Sequence, residues 1–295
     1  MNERRRRLRA LLESGDPLLA PACIDAFSAR MVEQAGFHVN YLTGNGASAA
    51  LLGRPDVGLM TLREVADVCR NISLATAIPL IADADTGYGN AINVIRTVRE
   101  LELAGAACLQ LEDQVTPKRC GHLPGSKPVV SLGEQVGKLK AALDARQDPD
   151  LLILARTDAA ADHGLDEAIR RAHAFKEAGA DLIFIEVDGT REELVRIGKE
   201  VPGPLAVTVD ESRRDAPFSP QELAALGFRL IIYPGIIRCT YLKAVTDALR
   251  ILKKESSTLA AKDRLASFRD YNQALGIEEI NAWEEKYLSS IRNPA

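Results

Sequence analysis

Lys118, Arg119, Cys120, Gly121 and His122 put one thiol among two cations and an imidazole. Such surroundings suit a reactive sulfur, whereas most free cysteines are small buried hydrophobes; the rest of the chain decides between the two. Upstream, the apolar run 79–82 ends in Asp83-Ala84-Asp85, followed by Gly87-Tyr88-Gly89. Residues two apart in a strand face the same side, so both carboxylates can point into one site. Paired like charges are costly without a cation between them, which argues for a hard divalent metal, Mg²⁺ or in its place Mn²⁺. The competing reading is an Asp pair that caps the next helix. A further apolar run, 107–111, turns polar at Glu112-Asp113, and 151–155 leads into Arg156-Thr157-Asp158. An arginine at a strand exit is a ready bidentate clamp for a carboxylate, or else half of a structural ion pair.

These groups need elements that bring them together. Short apolar runs of strand length occupy residues 18–23, 39–42, 79–82, 107–111, 151–155, 181–185, 204–209 and 230–233. Helical spacing fills the gaps at 25–36, 61–76, 90–105, 131–145, 165–179, 191–201 and 219–226. Thr61 and Glu64 form a capping box at one helix start. Strand and helix alternate eight times with polar residues at the strand ends, which predicts parallel strands in a single closed (β/α)₈ TIM barrel spanning residues 1–295. Thr43, Asp83, Asp85, Glu112, Arg156, Glu186 and Asp210 then share one rim. The segment 117–130, rich in Gly and Pro, is longer than the usual β-to-α loop and reads as a lid. Two further helices, 240–254 and 259–288, follow the last strand. The segment 255–295 is a C-terminal helical extension whose Trp283, Tyr287 and Leu288 suit packing on a neighbouring subunit.

Composition narrows the class. A 46% hydrophobic chain of 295 residues can pack one large core, and no apolar run reaches the ~18 residues of a membrane helix. A net charge of −4 offers no field for a polyanion, and nucleic acid is not an expected partner. The start, MNERRRRLRALL, lacks the apolar stretch of a signal and reads as a solvated first helix. Five cysteines without a CxxC pair point to a reducing cytoplasm. Gly44-x-Gly46-x-x-Ala49 fits a loose dinucleotide fingerprint, but 51–56 breaks the helix that should bind the pyrophosphate.

Together, YLTGNG (41–46), LLGRPDVG (51–58), DADTGYGN (83–90), LEDQ (111–114), KRCGH (118–122) and ARTDA (155–159) resemble the isocitrate lyase and phosphoenolpyruvate mutase superfamily along nearly the whole chain. KRCGH is similar to the loop of its carbon–carbon bond lyases, and the phosphonomutases of carboxyphosphoenolpyruvate carry a similar one. The resemblance implies a barrel whose eighth helix is swapped with a neighbour, in a homotetramer built as a dimer of dimers. It implies Mg²⁺ on Asp85 and, partly through water, on Asp83 and Glu112. A small carboxylic acid would bind on Thr43, Gly44, Asn45 and Arg156, with Asp56, Gly121, Glu186, Thr208 and Glu211 completing the site.

The implied reaction cleaves a 2-hydroxy di- or tricarboxylate, of 2-methylisocitrate or 2-alkylmalate type, to an α-keto acid and a second acid. Cys120 would be the general acid, with His122 and Arg119 tuning it, Lys118 and Arg156 in the catalytic set and Tyr41 a candidate base. The alternative is a phosphonomutase, or an oxaloacetate hydrolase or decarboxylase, on the same barrel. One stretch departs from the pattern: TVDESRRDAP (208–217) has Thr208 where Asn is expected and lacks a Gly-x-Thr-Pro turn, which leaves open a smaller acid or a different tail.

Overall fold

Strands whose side chains alternate between two apolar layers build the fold. The computed structural model describes residues 2–121, 123–209 and 218–292. Its parallel strands are β1 (Leu18–Cys23), β2 (Asn40–Leu42), β3 (Leu80–Asp83), β4 (Cys108–Glu112), β5 (Leu152–Thr157), β6 (Leu182–Ile185), β7 (Leu205–Thr208) and β8 (Phe228–Tyr233). They close in sequence order, with β8 pairing back onto β1 at Leu18 and Leu230, so the expected (β/α)₈ barrel is present. The helices are α1 (Asn2–Glu13), α2 (Ala26–Gln34), α3 (Gly44–Leu52), α4 (Leu62–Ala75), α5 (Ala91–Leu103), α6 (Leu132–Ala145), α7 (Ala160–Glu177), α8 (Arg191–Glu200) and α9 (Pro220–Ala225).

Outward-facing Leu109, Leu111, Ile153, Ile183 and Ile231 pack with Val98, Leu139 and Phe175 of the helices. The alternate residues Tyr41, Ile81, Cys108, Leu154, Phe184 and Leu230 form a second cluster inside the barrel. Leu8 and Leu12 of α1 belong to that inner cluster, so α1 plugs the barrel. Burying a leucine such as Leu8 contributes about 2 kcal/mol. The inner apolar layers stop below the carboxyl ends of the strands, and there the same alternation brings in polar groups.

Helix boundaries follow local chemistry. Thr61 accepts from the Glu64 N–H and the Glu64 side chain returns to Thr61, which is the predicted capping box. Within Ala160–Glu177, Gly164 at φ 81° interrupts the helix, which explains why the regular apolar spacing starts at Leu165. The basic first helix differs from its solvated reading at one position. Arg5 is only 4% exposed; it donates to Asp148 Oδ2 at 2.8 Å and to the Ala106 and Glu102 carbonyls at 3.0 and 2.8 Å.

Residues Cys239–Ala295 form a second compact unit, distinct from Met1–Arg238. It holds most of α10 (Ile236–Glu255), a 3₁₀ turn (Leu259–Arg264), α11 (Phe268–Ala274) and α12 (Ile277–Arg292). The sequence suggested one continuous helix over 259–288. Instead, Ser267 caps the Asp270 N–H to start α11, and Gly276 at φ 81° separates it from α12. On α10, Leu242, Val245, Leu249 and Leu252 recur at helical spacing and stay exposed, as do Trp283 and Tyr287 on α12.

The Arg5 network yields a stability prediction. Arg5→Ala would strand Glu102 and Asp148 as buried unpaired carboxylates and is expected to cost about 3–5 kcal/mol in urea unfolding. A loss below about 1 kcal/mol would place the network in solvent instead.

Candidate active site

Continuing the inner alternation upward puts Tyr41 and Thr43, Asp83, Glu112, Arg156, Glu186, Thr208, and Ile232 and Pro234 around one cavity. Asn45, Asp56, Lys118, Cys120, Gly121 and Arg238 complete its wall. Register ties the pieces together, since Glu112 pairs with Arg156 across β4 and β5 and Asp83 with Gln110 across β3 and β4. A cavity with this many convergent polar groups suits a small polar molecule.

Asp83 and Asp85 do converge, though not by strand alternation alone. Asp83 is the last residue of β3, and Asp85 lies beyond it with φ 49°, a left-handed conformation that Asp tolerates better than most residues. Asp83 accepts from the Gly44 N–H at 3.2 Å, the Asp85 N–H at 3.1 Å and Gln110 Nε2 at 3.3 Å. The helix that follows is capped by Asn90, so the Asp pair is not its cap. Both carboxylates face Gly44: a Cβ there would lie 3.0 Å from Asp83 Oδ2 and 3.2 Å from Asp85 Oδ1. Only glycine leaves that space open.

Lys118 reaches into the site from the long loop and lies 2.7 Å from both Asp56 Oδ2 and Asp85 Oδ1. Burial opposes its charge, but Asp85, Glu112, Asp83 and Asp56 together outweigh burial and hold its pKa well above the usual lysine value. Burial pushes Asp85 up to about 6, against the pull of Lys118, and raises Glu112 well above the ordinary carboxylate range. Arg156 is held by Asp158 through two hydrogen bonds of 2.9 and 2.8 Å, and by Glu186 at 3.1 Å. Behind it, Asp113 accepts from the Thr157 hydroxyl, the Asp158 N–H and Arg171 at 2.7, 2.9 and 3.0 Å. The clamp is thus braced from β4 and α7.

The Cys120 N–H donates to the Asp56 carbonyl at 3.0 Å, and its Sγ accepts from Asn45 Nδ2 at 3.3 Å. Gln114 grips both the Arg119 N–H and carbonyl, at 2.9 and 2.8 Å. At the far end of the loop, Asp162 accepts from the Ser126 hydroxyl and the Lys127 N–H at 2.6 and 2.8 Å.

The hydroxyl of Tyr41, the candidate base, donates to Gln110 Oε1 at 2.9 Å, and burial, reinforced by the Asp83 charge, drives its pKa well above the phenol value. Of the other expected residues, Thr43, Asn45, Asp56, Asp83, Glu112, Lys118, Cys120, Gly121, Arg156, Glu186 and Thr208 meet at the cavity. Gly44 supports Asp83 from behind, and Asp85 sits on the far side of Lys118. His122, Asp210 and Glu211 lie outside the described residues. Ile232 and Pro234 were missed, although alternation along β8 marks them, while Arg238, noticeable in the sequence just past Pro234-Gly235, does line the cavity.

The donor set fits a hard cation that needs few direct ligands. Among the described residues no group of three or more His, Cys, Asp or Glu side chains is placed to hold a metal ion by itself. Glu112 Oε1 is nevertheless buried without a hydrogen-bond partner, and Asp85 Oδ1 has an ion pair but no well-directed hydrogen bond. Mg²⁺ characteristically takes one or two carboxylates and several waters.

Residues 8–253 match the family described as phosphoenolpyruvate phosphomutase. The chain belongs to the phosphoenolpyruvate mutase/isocitrate lyase superfamily. The 2,3-dimethylmalate lyase of Eubacterium barkeri is 45% identical to it, over 96% of this chain and 98% of that protein. The chloroplastic carboxyvinyl-carboxyphosphonate phosphorylmutase of Arabidopsis thaliana is 40% identical, over 97% and 85%. Among solved structures, oxaloacetate acetylhydrolase in complex with the inhibitor 3,3-difluorooxalacetate superposes with a TM-score of 0.90 at 30% identity, covering 97% of each chain. The protein is therefore an enzyme with the lyase or mutase chemistry of its superfamily. Among the described residues no helix is long and apolar enough to cross a membrane.

At Gly121 the cysteine loop lies against Arg156 and Glu186. A Cβ there would stand 2.8 Å from Arg156 Nη2 and from Glu186 Cδ, and Arg156 cannot yield because Asp158 pins it. Gly121→Ala is expected to lower turnover at least about tenfold while the thermal midpoint stays within about 2 °C, since the loop adds little to the core. Wild-type turnover in this variant would show that the loop is not docked when the enzyme works.

Proposed function

We propose that this enzyme is a Mg²⁺-dependent carbon–carbon lyase. Its substrate would be a 2-hydroxy di- or tricarboxylate of the 2-alkylmalate or 2-methylisocitrate type, cleaved to an α-keto acid and a second carboxylic acid. The observation that carries this reading is the Cys120 thiol in the same cavity wall as Arg156, Lys118 and the carboxylate group. Arg156, locked by Asp158, presents a fixed cation to the substrate's 2-hydroxy acid end, which becomes the α-keto acid. Thr43 and Tyr41 offer hydroxyls on the same side. Arg238 reaches the cavity from beyond β8 and suits a distal carboxylate, while Ile232 and Pro234 flank the substrate's alkyl tail.

In the reaction, a Glu186 carboxylate oxygen takes the 2-hydroxyl proton, the pair left on the hydroxyl oxygen closes the new carbonyl, and the adjacent C–C bond breaks. Its electron pair goes to the carbon next to the departing carboxylate. Cys120 then protonates that carbon from the thiol, completing the second acid. Lys118 and Arg156 offset the negative charge that develops. Asp85, with Asp83 and Glu112 through water, would hold Mg²⁺, which when bound supplies Lewis-acid stabilisation of that charge.

The exposed apolar face of α10 supports assembly with further copies, which we take to be a homotetramer with exchanged helices. The cysteine pattern favours a cytoplasmic setting. A second reading, phosphonate chemistry or oxaloacetate hydrolysis, is kept because relatives bearing both names align along nearly the entire chain.

The test is incubation with Mg²⁺ and 2,3-dimethylmalate, 2-methylisocitrate, oxaloacetate and phosphonopyruvate, with products followed by NMR. Cleavage of the first or second to an α-keto acid is expected, and Cys120→Ser should slow it by about 10²–10⁴ with little change in KM. Turnover of oxaloacetate or phosphonopyruvate alone would favour the second reading. Full activity of Cys120→Ser would remove the thiol from the chemistry.

A further inference from the structure

The backbone around Cys120 is fixed, but its side chain is not fixed by its own loop. Lys118 is tied to Asp56 and Asp85 at 2.7 Å each. Gln114 holds both backbone groups of Arg119, and the Asp56 carbonyl holds the Cys120 N–H. Gly121 has no room to shift toward Arg156 and Glu186. What remains free is rotation about the Cys120 Cα–Cβ bond, with three staggered wells. Among the described residues, one side chain contacts the sulfur by hydrogen bond: Asn45 Nδ2, at 3.3 Å.

Asn45 stands where a side chain can do this. It is the second residue of α3, between two glycines that cannot be replaced. A Cβ at Gly46 would lie 2.4 Å from Ile24 Cγ2, and one at Gly44 would press on Asp83. Position 45 is therefore the part of this turn that projects into the cavity. An asparagine at a helix start ordinarily serves the helix as a cap, yet α3 has Thr43 at its cap position with no side-chain cap bond, and the Asn45 amide goes to sulfur instead.

We propose that the Asn45 carboxamide is the positioning group for the Cys120 thiol, selecting the rotamer from which the sulfur faces the substrate. Asn45 acts through Cys120 and not by holding the acid itself. Its kinetic consequence rests on the lyase reading above, but the contact does not. One hydrogen bond is enough to shift a rotamer population about five- to tenfold.

Two measurements separate these levels. With 2,3-dimethylmalate, Asn45→Ala should lower kcat about tenfold with KM within about twofold, and cost nothing further when combined with Cys120→Ser. A raised KM with unchanged kcat, or losses that multiply in the double variant, would make Asn45 a substrate ligand and overturn the proposal. Independently of any substrate, Asn45→Asp keeps the shape but sets a carboxylate against the sulfur. Iodoacetamide alkylation of Cys120, followed by peptide mass spectrometry, should then slow at least about tenfold, with exposed Cys239 as the unchanged internal reference. Alkylation of Cys120 at the wild-type rate would show that the contact is not made. Slowed alkylation together with full turnover in Cys120→Ser would reject the acid role while leaving the positioning of the thiol intact.

Discussion

Desolvation of like charges at the end of one barrel is the constraint on which the rest of the site depends. Asp83, Asp85, Glu112 and Asp158 are all buried at the carboxyl ends of β3, β4 and β5, and buried carboxylates persist only when paired or hydrogen-bonded. Two cations answer them, and the two arrive differently. Arg156 comes from a strand and is braced by Asp158 and, behind it, by the Asp113–Arg171 pair. Lys118 comes from the long loop, so the loop's position is coupled to the charge balance of the barrel. A ligand that alters this balance will act on the loop, and the loop carries Cys120.

This coupling gives the glycines their meaning. Gly44 lets the Asp83 and Asp85 carboxylates approach the α3 turn, and Gly121 lets the cysteine loop lie against Arg156. Both positions are close approaches rather than flexible hinges. The apolar inner layers below, from Leu8 to Phe184, contribute no chemistry but hold the strand ends in register.

Much of this was legible in the sequence, because strands have a period of two and barrels place their chemistry at one end. Asp83, Glu112, Arg156, Glu186 and Thr208 all follow from that alternation. Asp85 belongs to the site for a different reason, a left-handed turn past the strand end, which periodicity does not encode. The burial of Arg5 was hidden because its partners, Glu102 and Asp148, are remote in sequence and unremarkable in composition. Tyr41 was expected at the site and lines it, but its hydroxyl is tied to Gln110, a neighbour that alternation marks only once β4 is known to pack beside β3. The link from Asn45 to Cys120 crosses 75 residues, from the first turn of α3 to the long loop, and only folded geometry reveals it.

The account's central claim, that the buried carboxylates form a cation site, is tested most directly by thermal unfolding of chelator-treated enzyme with and without Mg²⁺ at pH 5 and pH 7.5. Burial raises Asp85 from 3.8 to about 6, so the folded state binds the extra proton between those values. Stability from that proton is full below pH 3.8 and is lost as pH rises through 6. Mg²⁺ should restore it where Asp85 is ionised. The expected result is a rise in midpoint of about 5 °C or more at pH 7.5 and saturating Mg²⁺, a much smaller rise at pH 5, and none in Asp85→Asn. An absent shift at pH 7.5, or an equal one in Asp85→Asn, would contradict it.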